Sequence, residues 1–403
     1  MQNLILFDSD ARNHLLPLTA TRPMGELRIG IFTIRGKWER YLNSYASYIT
    51  QEYLQEKYPI RVESENLVVN GGILPNELLC QRIAQLGFSE ALLRDGELIA
   101  TRLDALQFET LIEDEEVREL QGIELEADIP IVRIQRLWEL TQQNGAAIEA
   151  DFQWIVRNRQ SAPLPDSNRL IGPADRLFIE PDARIEACTL NTTEGPIYIG
   201  KNAEVMEGCL LRGPIAIGEG AVLKMGARIY GPTTIGPGCK IGGEVTRSIF
   251  IGNSNKAHEG FIGDSVIGEW CNIGADTNNS NLKNNYSEVK LWDYAEESFV
   301  RTGTQLCGLF MGDHAKCGIN TMFNTGTVVG VFANVFGSGY PRHFIPDFAW
   351  GGPDSGFRTY TFEEACATAQ RVLQRRNRNL TDLDKAILRH IYEQTASLRP
   401  WEK

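Results

Sequence analysis

The feature that most constrains this chain is a hydrophobic period of six. From Ile199 the positions Val205, Leu211, Ile217, Leu223, Ile229, Ile235 and Ile241 follow at that interval, all branched aliphatic, while neighbouring phases are mixed. Six is neither the 3.6 period of a helix nor the two-residue alternation of a strand. It suits a short strand and a turn, one side of a triangular coil. Ile199-Gly200, Ile217-Gly218 and Ile235-Gly236 recur at eighteen residues, three such sides, and Ile241-Gly242 adds a fourth pair. The aliphatic side chain is expected to point into the prism. The glycine is expected at a corner, where backbone angles hostile to a Cβ are often needed. A coil of this kind buries its inner face only against its neighbours, so the array must be long. The sequence thus predicts a left-handed parallel β-helix of hexapeptide repeats.

The pattern continues less evenly through Ile251-Gly252, Ile262-Gly263, Ile267-Gly268 and Ile273-Gly274, with spacings that break phase around His258. Such breaks are expected where loops leave the prism, and such loops commonly carry function. A weaker earlier run, Ile171-Gly172 with Ile179 and Ile185, starts the solenoid near 166, and Gly318, Gly326 and Gly330 carry it to about Gly339. Ahead of it, 3–7 and 66–70 read as buried strands and 76–86 and 134–143 as helices, an alternation that predicts an α/β domain. Ser161–Asp166 reads as a linker, and Thr361 with Glu364 as a capping box opening a helical tail, with a second helix after Thr381. The expected domains are 1–165, 166–345 and 346–403.

With 403 residues the chain is too long for one core. A net charge of -12 argues against a nucleic-acid partner, since phosphate neutralisation needs clustered Lys and Arg. No apolar run approaches the roughly 18 residues of a membrane span. The opening residues are too short and too acidic for a signal peptide. The eight cysteines form no CxxC pair, so they read as reduced small core residues in a cytoplasmic protein, with no metal site.

Lys256-Ala-His-Glu-Gly-Phe-Ile-Gly-Asp-Ser-Val-Ile-Gly268, followed by Asn272-Ile-Gly-Ala275, resembles the acetyltransferase half of the bifunctional N-acetylglucosamine-1-phosphate uridyltransferase/glucosamine-1-phosphate acetyltransferase family. In that family a His, then Ile/Leu-Gly-Asp, Ile-Gly and Asn-Ile-Gly-Ala-Gly mark the active-site coil. The resemblance covers roughly 195–335. The first domain resembles a reduced sugar-phosphate nucleotidyltransferase: it keeps Arg12, Pro17-Leu18-Thr19 and Arg22-Pro23. It departs at the phosphate loop, which reads Asp8-Ser-Asp-Ala-Arg12 without glycines, at Met24 in place of a Lys, and at Asn70-Gly71-Gly72 in place of a Gly-Asp whose carboxylate would hold Mg²⁺.

Acetyl transfer to an amine needs a base, donors for the oxyanion and substrates held in register. His258 is the candidate base, because imidazole titrates near neutrality. By resemblance, Glu244 would orient its ring and the Ala275 N–H would face the thioester oxygen of acetyl-CoA. Thr302 would contact coenzyme A, and Asn272 and Asn281 would meet the acceptor sugar. Arg247, then Lys256, would supply the cation for a sugar 1-phosphate. Phe261 and Leu282 replace tyrosines, and Asp276 replaces a glycine. Arg12, Arg22 and Arg28 are candidate nucleotide contacts in the first domain. The stretch Asn278–Asn285 reads equally as a loop to a neighbouring subunit, an asparagine ladder inside the coil, or a polar turn.

The resemblance implies an acetyl-CoA-dependent N-acetyltransferase acting on an amino-sugar 1-phosphate, glucosamine 1-phosphate foremost, assembled as a homotrimer. The competing readings are a sugar-1-phosphate nucleotidyltransferase with a structural β-helix, which would need Mg²⁺, and a scaffold without catalysis.

Overall fold

The computed structural model describes residues 3–112 and 120–402. The chain forms two compact units: Met1–Asn13 with Arg22–Leu27 and Phe32–Gln135, and His14–Thr21 with Arg28–Ile31 and Arg136–Lys403. This division differs from a cut at 165, because the long helix Leu137–Asn158 belongs to the second unit.

The first unit is an α/β domain around a mixed sheet. Its strands are β1 (Asn3–Phe7), β2 (Ala46–Ile49), β3 (Glu65–Asn70), β4 (Ile73–Leu74), β5 (Glu90–Arg94), β6 (Glu97–Asp104), β7 (Gln121–Glu124) and β8 (Val132–Arg133). The sheet order is β2-β1-β3-β6-β5-β7, with β4 and β8 paired separately. β1 is parallel to both neighbours, and its Leu4, Ile5 and Leu6 are buried, as a two-sided strand requires. The helix expected over 76–86 spans Glu77–Ala84, and the Asn76 side chain accepts the Leu79 N–H at its start.

The second unit is the predicted solenoid, a left-handed parallel β-helix with three walls. The first wall stacks nine strands from Leu177–Ile179 to Phe344–Ile345. The second runs from Arg184–Ile185 through Ala349–Gly352 and ends on the antiparallel strand Gly356–Thr359, ten strands in all. The ladder therefore continues past residue 345. The third wall runs from Arg169–Ile171 to Phe261–Gly263, and Asn278–Asn279 pairs with Met322–Phe323 further along.

The period of six resolves into columns of inward side chains. On the first wall Ile179, Ile199, Ile217, Ile235, Phe250, Ile267, Met311, Val329 and Ile345 stack in register, all buried. Cys188, Cys209, Cys239, Cys271 and Cys317 join this core as small buried residues.

Two expectations need correction. Gly200, Gly218 and Gly236 do not have left-handed backbone angles. They are glycines because coils stack too closely at the corner: an added Cβ would lie 2.7, 2.6 and 2.0 Å from the backbone of the next coil. The phase break around His258 is also not a loop leaving the prism. Ile235 pairs with Phe250 and Phe250 with Ile267, so these coils are contracted to 15 and 17 residues. The excursion comes later, where Ile267 pairs with Met311, 44 residues on. That interval holds an antiparallel hairpin, Lys290–Asp293 with Ser298–Arg301.

The helix expected over 134–143 runs on to Asn158. Asn144-Gly145 suggests a helix end in sequence. In the structure Asn144 is buried, and its Oδ1 accepts the Gly30 N–H at 2.8 Å and the Thr234 hydroxyl at 3.0 Å, which ties the helix to the first wall. The tail forms helices Phe362–Gln374 and Asp382–Gln394, capped by Thr361 and Thr381 as expected.

Ile217 lies between Ile199 and Ile235 with no exposed surface. Ile217→Asp buries an unpaired charge and should cost about 3–5 kcal/mol. Equilibrium urea unfolding checks this, and an unchanged midpoint would refute the register.

Candidate functional site

The third wall carries Glu244 and Phe261, with His258 at one edge and Arg247 and Asn281 at the other. Its strand Phe261–Gly263 starts at the corner after His258 and ends just before Asp264. His258 is exposed at that corner. Glu244 starts the preceding strand and pairs in register with Phe261. Its carboxylate lies 3.6 Å from Arg228, which also binds Glu259 at 3.0 Å. Glu244 thus makes no hydrogen bond to His258 among the described residues; its charge is shared with Arg228.

Lys256 is the residue that sequence reasoning placed least accurately. The second-wall column runs Val205, Leu223, Ile241, Lys256, and the next two coils contribute Ile273 and Cys317. Lys256 therefore occupies an inward position between aliphatic neighbours and is 1% exposed. Its ammonium does not face outward to a phosphate. Nζ donates to the carbonyls of Gly242 and His258, both at 2.9 Å. Burial pulls its pKa down to about 8, opposed by Glu259, Asp276 and Glu244. The buried cation thus pins the backbone of His258 from inside the prism.

At the other edge, Arg247 makes a two-pronged ion pair with Asp264, Nε and one Nη each at 2.8 Å. Asn281 donates to the same carboxylate at 2.6 Å. The hydrogen bonds and charge of Asp264 raise the Arg247 pKa against its partial burial. Phe261 and Asn281 converge over Gly263, where a Cβ would lie 2.7 Å from the ring and 2.8 Å from the Asn281 amide. Asn279 points inward in place of an aliphatic residue and bonds both the N–H and the carbonyl of Gly263, at 2.8 and 3.0 Å. Within 278–285, Asn279 is buried inside the coil and Asn278 beside it is exposed, so this is one inward asparagine and not a ladder.

Ala275, Asn272, Thr302 and Arg28 lie elsewhere in the second unit. Ala275 is at the corner one coil beyond His258, its carbonyl accepting the Asn320 N–H at 2.8 Å. Asn272 is exposed on the second wall, between Asn255 and Lys316 in register. Thr302 is buried at the base of the hairpin, with its hydroxyl donating to the Val289 carbonyl at 2.9 Å. Arg28 donates to the carbonyls of Ile251 and Ile31 at 3.0 and 2.7 Å.

In the first unit, the place of a phosphate loop is filled by the chain's own carboxylate. Asp8 accepts the Met24 N–H at 2.7 Å and the Thr50 hydroxyl at 2.6 Å, with Arg12 at 3.4 Å. Burial raises its pKa, and these three partners lower it. Arg12 also donates to the Tyr53 hydroxyl at 2.6 Å, and both Arg12 and Arg22 are buried rather than at a surface edge. A Cβ at Gly72 would lie 2.5 Å from the Met24 side chain, and Asn70 Oδ1 already accepts the Gly72 N–H. Residues 70–72 themselves carry no carboxylate for a metal.

Arg228 and Glu259 were not singled out by sequence, and Asp264 entered only as the Asp of the Ile-Gly-Asp string. The signal that pairs it with Arg247 is coil register, since it stands 17 residues later, one contracted coil on.

Residues 4–160 match the family model described as sugar nucleotidyl transferase. The chain is 33% identical over 93 residues to the bifunctional sugar-1-phosphate nucleotidylyltransferase/acetyltransferase of Sulfurisphaera tokodaii, 23% of each chain. It is 38% identical over 87 residues to the bifunctional protein GlmU of Methanocaldococcus jannaschii, 22% of this chain and 21% of that one. The chain thus covers less than a quarter of the length of these curated transferases. AntD, an N-acyltransferase from Bacillus cereus, is a solved structure at 12% identity and a TM-score of 0.21, over 52% of this chain and 91% of that one. The fold assignment rests on this chain's own strand ladders.

Lys256 offers a test of the site's interior. Its folded pKa near 8 lies below the 10.5 of a solvated lysine, so between those values the unfolded chain binds more protons. Stability of the wild type, relative to Lys256→Met, should therefore rise with pH across that window and be flat below it. Urea unfolding of both proteins at about pH 7 and about pH 10 checks this. Parallel pH responses would mean that Nζ is solvated.

Proposed function

We propose that this chain is an acyl-CoA-dependent N-acyltransferase acting on an amino-sugar phosphate, with acetyl-CoA as donor and glucosamine 1-phosphate as the foremost acceptor. The observation that carries the reading is an exposed His258 held by a buried ammonium, at the edge of a wall whose other edge presents Arg247, Asp264 and Asn281. The printed names of the relatives, which join nucleotidylyl transfer to acetyl transfer, favour it. So does a solenoid in which the His string lies at contracted coils.

In this reading the His258 imidazole accepts the proton from the acceptor's ammonium, leaving a neutral amine to attack the thioester carbonyl. The oxyanion meets the Ala275 N–H, and as the intermediate collapses the coenzyme A thiolate leaves and takes the second proton lost by the nitrogen. Lys256 acts through the backbone, as a positioning residue that fixes the turn carrying His258. Arg247 spends Nε and one Nη on Asp264 and has its other Nη for the acceptor phosphate. Asn281 and Phe261 border the sugar. The proposed enzyme is a cytoplasmic homotrimer, which sedimentation velocity tests; a monomer at micromolar concentration would contradict it.

His258→Ala should lower kcat roughly 10²–10⁴-fold, the usual contribution of a positioned base. Stability should stay within about 0.5 kcal/mol, since an exposed side chain carries little packing energy. Thiol release from acetyl-CoA with glucosamine 1-phosphate measures this, and wild-type rates in the variant would remove the assignment.

Nucleotidyl transfer should be weak or absent, because Asp8 takes the Met24 amide and residues 70–72 offer no carboxylate to a metal. Pyrophosphate release from UTP, dTTP or GTP with a sugar 1-phosphate and Mg²⁺ is the assay. Robust turnover would promote the nucleotidyltransferase reading.

A further inference from the structure

On the outer face of the second wall, successive coils present Lys240, Asn255, Asn272 and Lys316 in register. The end of helix Phe362–Gln374 lies against this column and adds Arg375 and Arg376. Together with Trp270 they line a cavity of about 480 Å³. Four cations thus share one concavity, and no carboxylate lines it among the described residues. That is unexpected on a chain with 52 acidic and 40 basic residues.

Part of this charge has a structural explanation. Cations favour a helix C-terminus, and Arg376 clamps the helix to the wall through the Gly238 carbonyl at 2.8 Å and Asn255 Oδ1 at 3.3 Å. The explanation does not reach Lys240 and Lys316, which belong to the coils. Lys316 is held by the His314 carbonyl at 2.8 Å, and burial brings its pKa down to about 8. The Lys240 pKa is lowered by burial and then by Arg376, Lys224 and Arg375. The like-charge part of the Lys240 shift is what a bound anion would offset.

We propose that this pocket is a binding site for a pyrophosphate-bearing ligand. Four cations in one concavity match the charge of two linked phosphates better than that of a single phosphate. The guanidinium of Arg375 and the asparagine amides supply further donors. Trp270 is the inner end of a ring stack with His314 and Phe332, and gives the pocket an apolar side beside the charges.

The same chemistry arises in a free nucleoside diphosphate and in the diphosphate of a coenzyme A thioester. Calorimetric titration of the full chain with inorganic pyrophosphate, ADP, coenzyme A and adenosine separates them. Pyrophosphate should bind and adenosine should not. ADP binding that acetyl-CoA fails to displace identifies a free nucleotide, and binding of coenzyme A with displacement of ADP identifies the donor. Lys240→Gln with Arg375→Gln, both exposed, should weaken pyrophosphate binding at least roughly tenfold without altering the unfolding midpoint. His258→Ala should leave pyrophosphate binding intact, which separates this proposal from failure of the acyltransferase reading. No pyrophosphate binding at millimolar concentration, or binding unchanged in the double variant, overturns it.

Discussion

The second unit depends on one constraint: every coil must lie directly on the next so that inward side chains share a column. Short parallel ladders provide the backbone hydrogen bonds, and the columns exclude water from the prism. Corners feel the constraint most. At Gly200, Gly218 and Gly236 the next coil's backbone leaves no volume for a methyl group, so the glycines answer to stacking distance rather than to backbone angle. A side chain there would separate two coils and disturb all three walls at once.

Against that regularity, the departures are concentrated. Between Ile235 and Ile267 the coils shorten, Lys256 takes an aliphatic position, and soon afterwards Asn279 takes another. Each buried polar group is satisfied by backbone of its own corner, which is what makes it tolerable. Both cost stability compared with an isoleucine, and both fix a local turn: Lys256 that of His258, Asn279 that of Gly263. Polar residues inside an otherwise aliphatic column are where this solenoid gives up packing for geometry.

The first unit departs in a different way. A nucleotide-binding loop leaves its backbone amides open to an incoming phosphate. Here Asp8 takes the Met24 amide and the Thr50 hydroxyl, and Arg12 balances its charge.

The period of six and the Ile-Gly interval determined the solenoid, because an aliphatic residue every sixth position has few other ways to be buried. Asn76, Thr361 and Thr381 likewise announced their helices through local capping chemistry. Sequence also located the His258 string. It did not determine which residues around it face outward, since a contraction of three residues in one coil turns Lys256 from a surface cation into a buried one. Nor did it reveal that Arg247 is paired with Asp264, or that Lys240, Lys316 and Arg375 meet. Those partners are a coil or more apart along the chain, and only the stacking register with the return of the tail helix brings them together. The helix continuing through Asn144-Gly145 has the same cause: a local stop signal is overruled by hydrogen bonds to a wall nearly a hundred residues away in sequence.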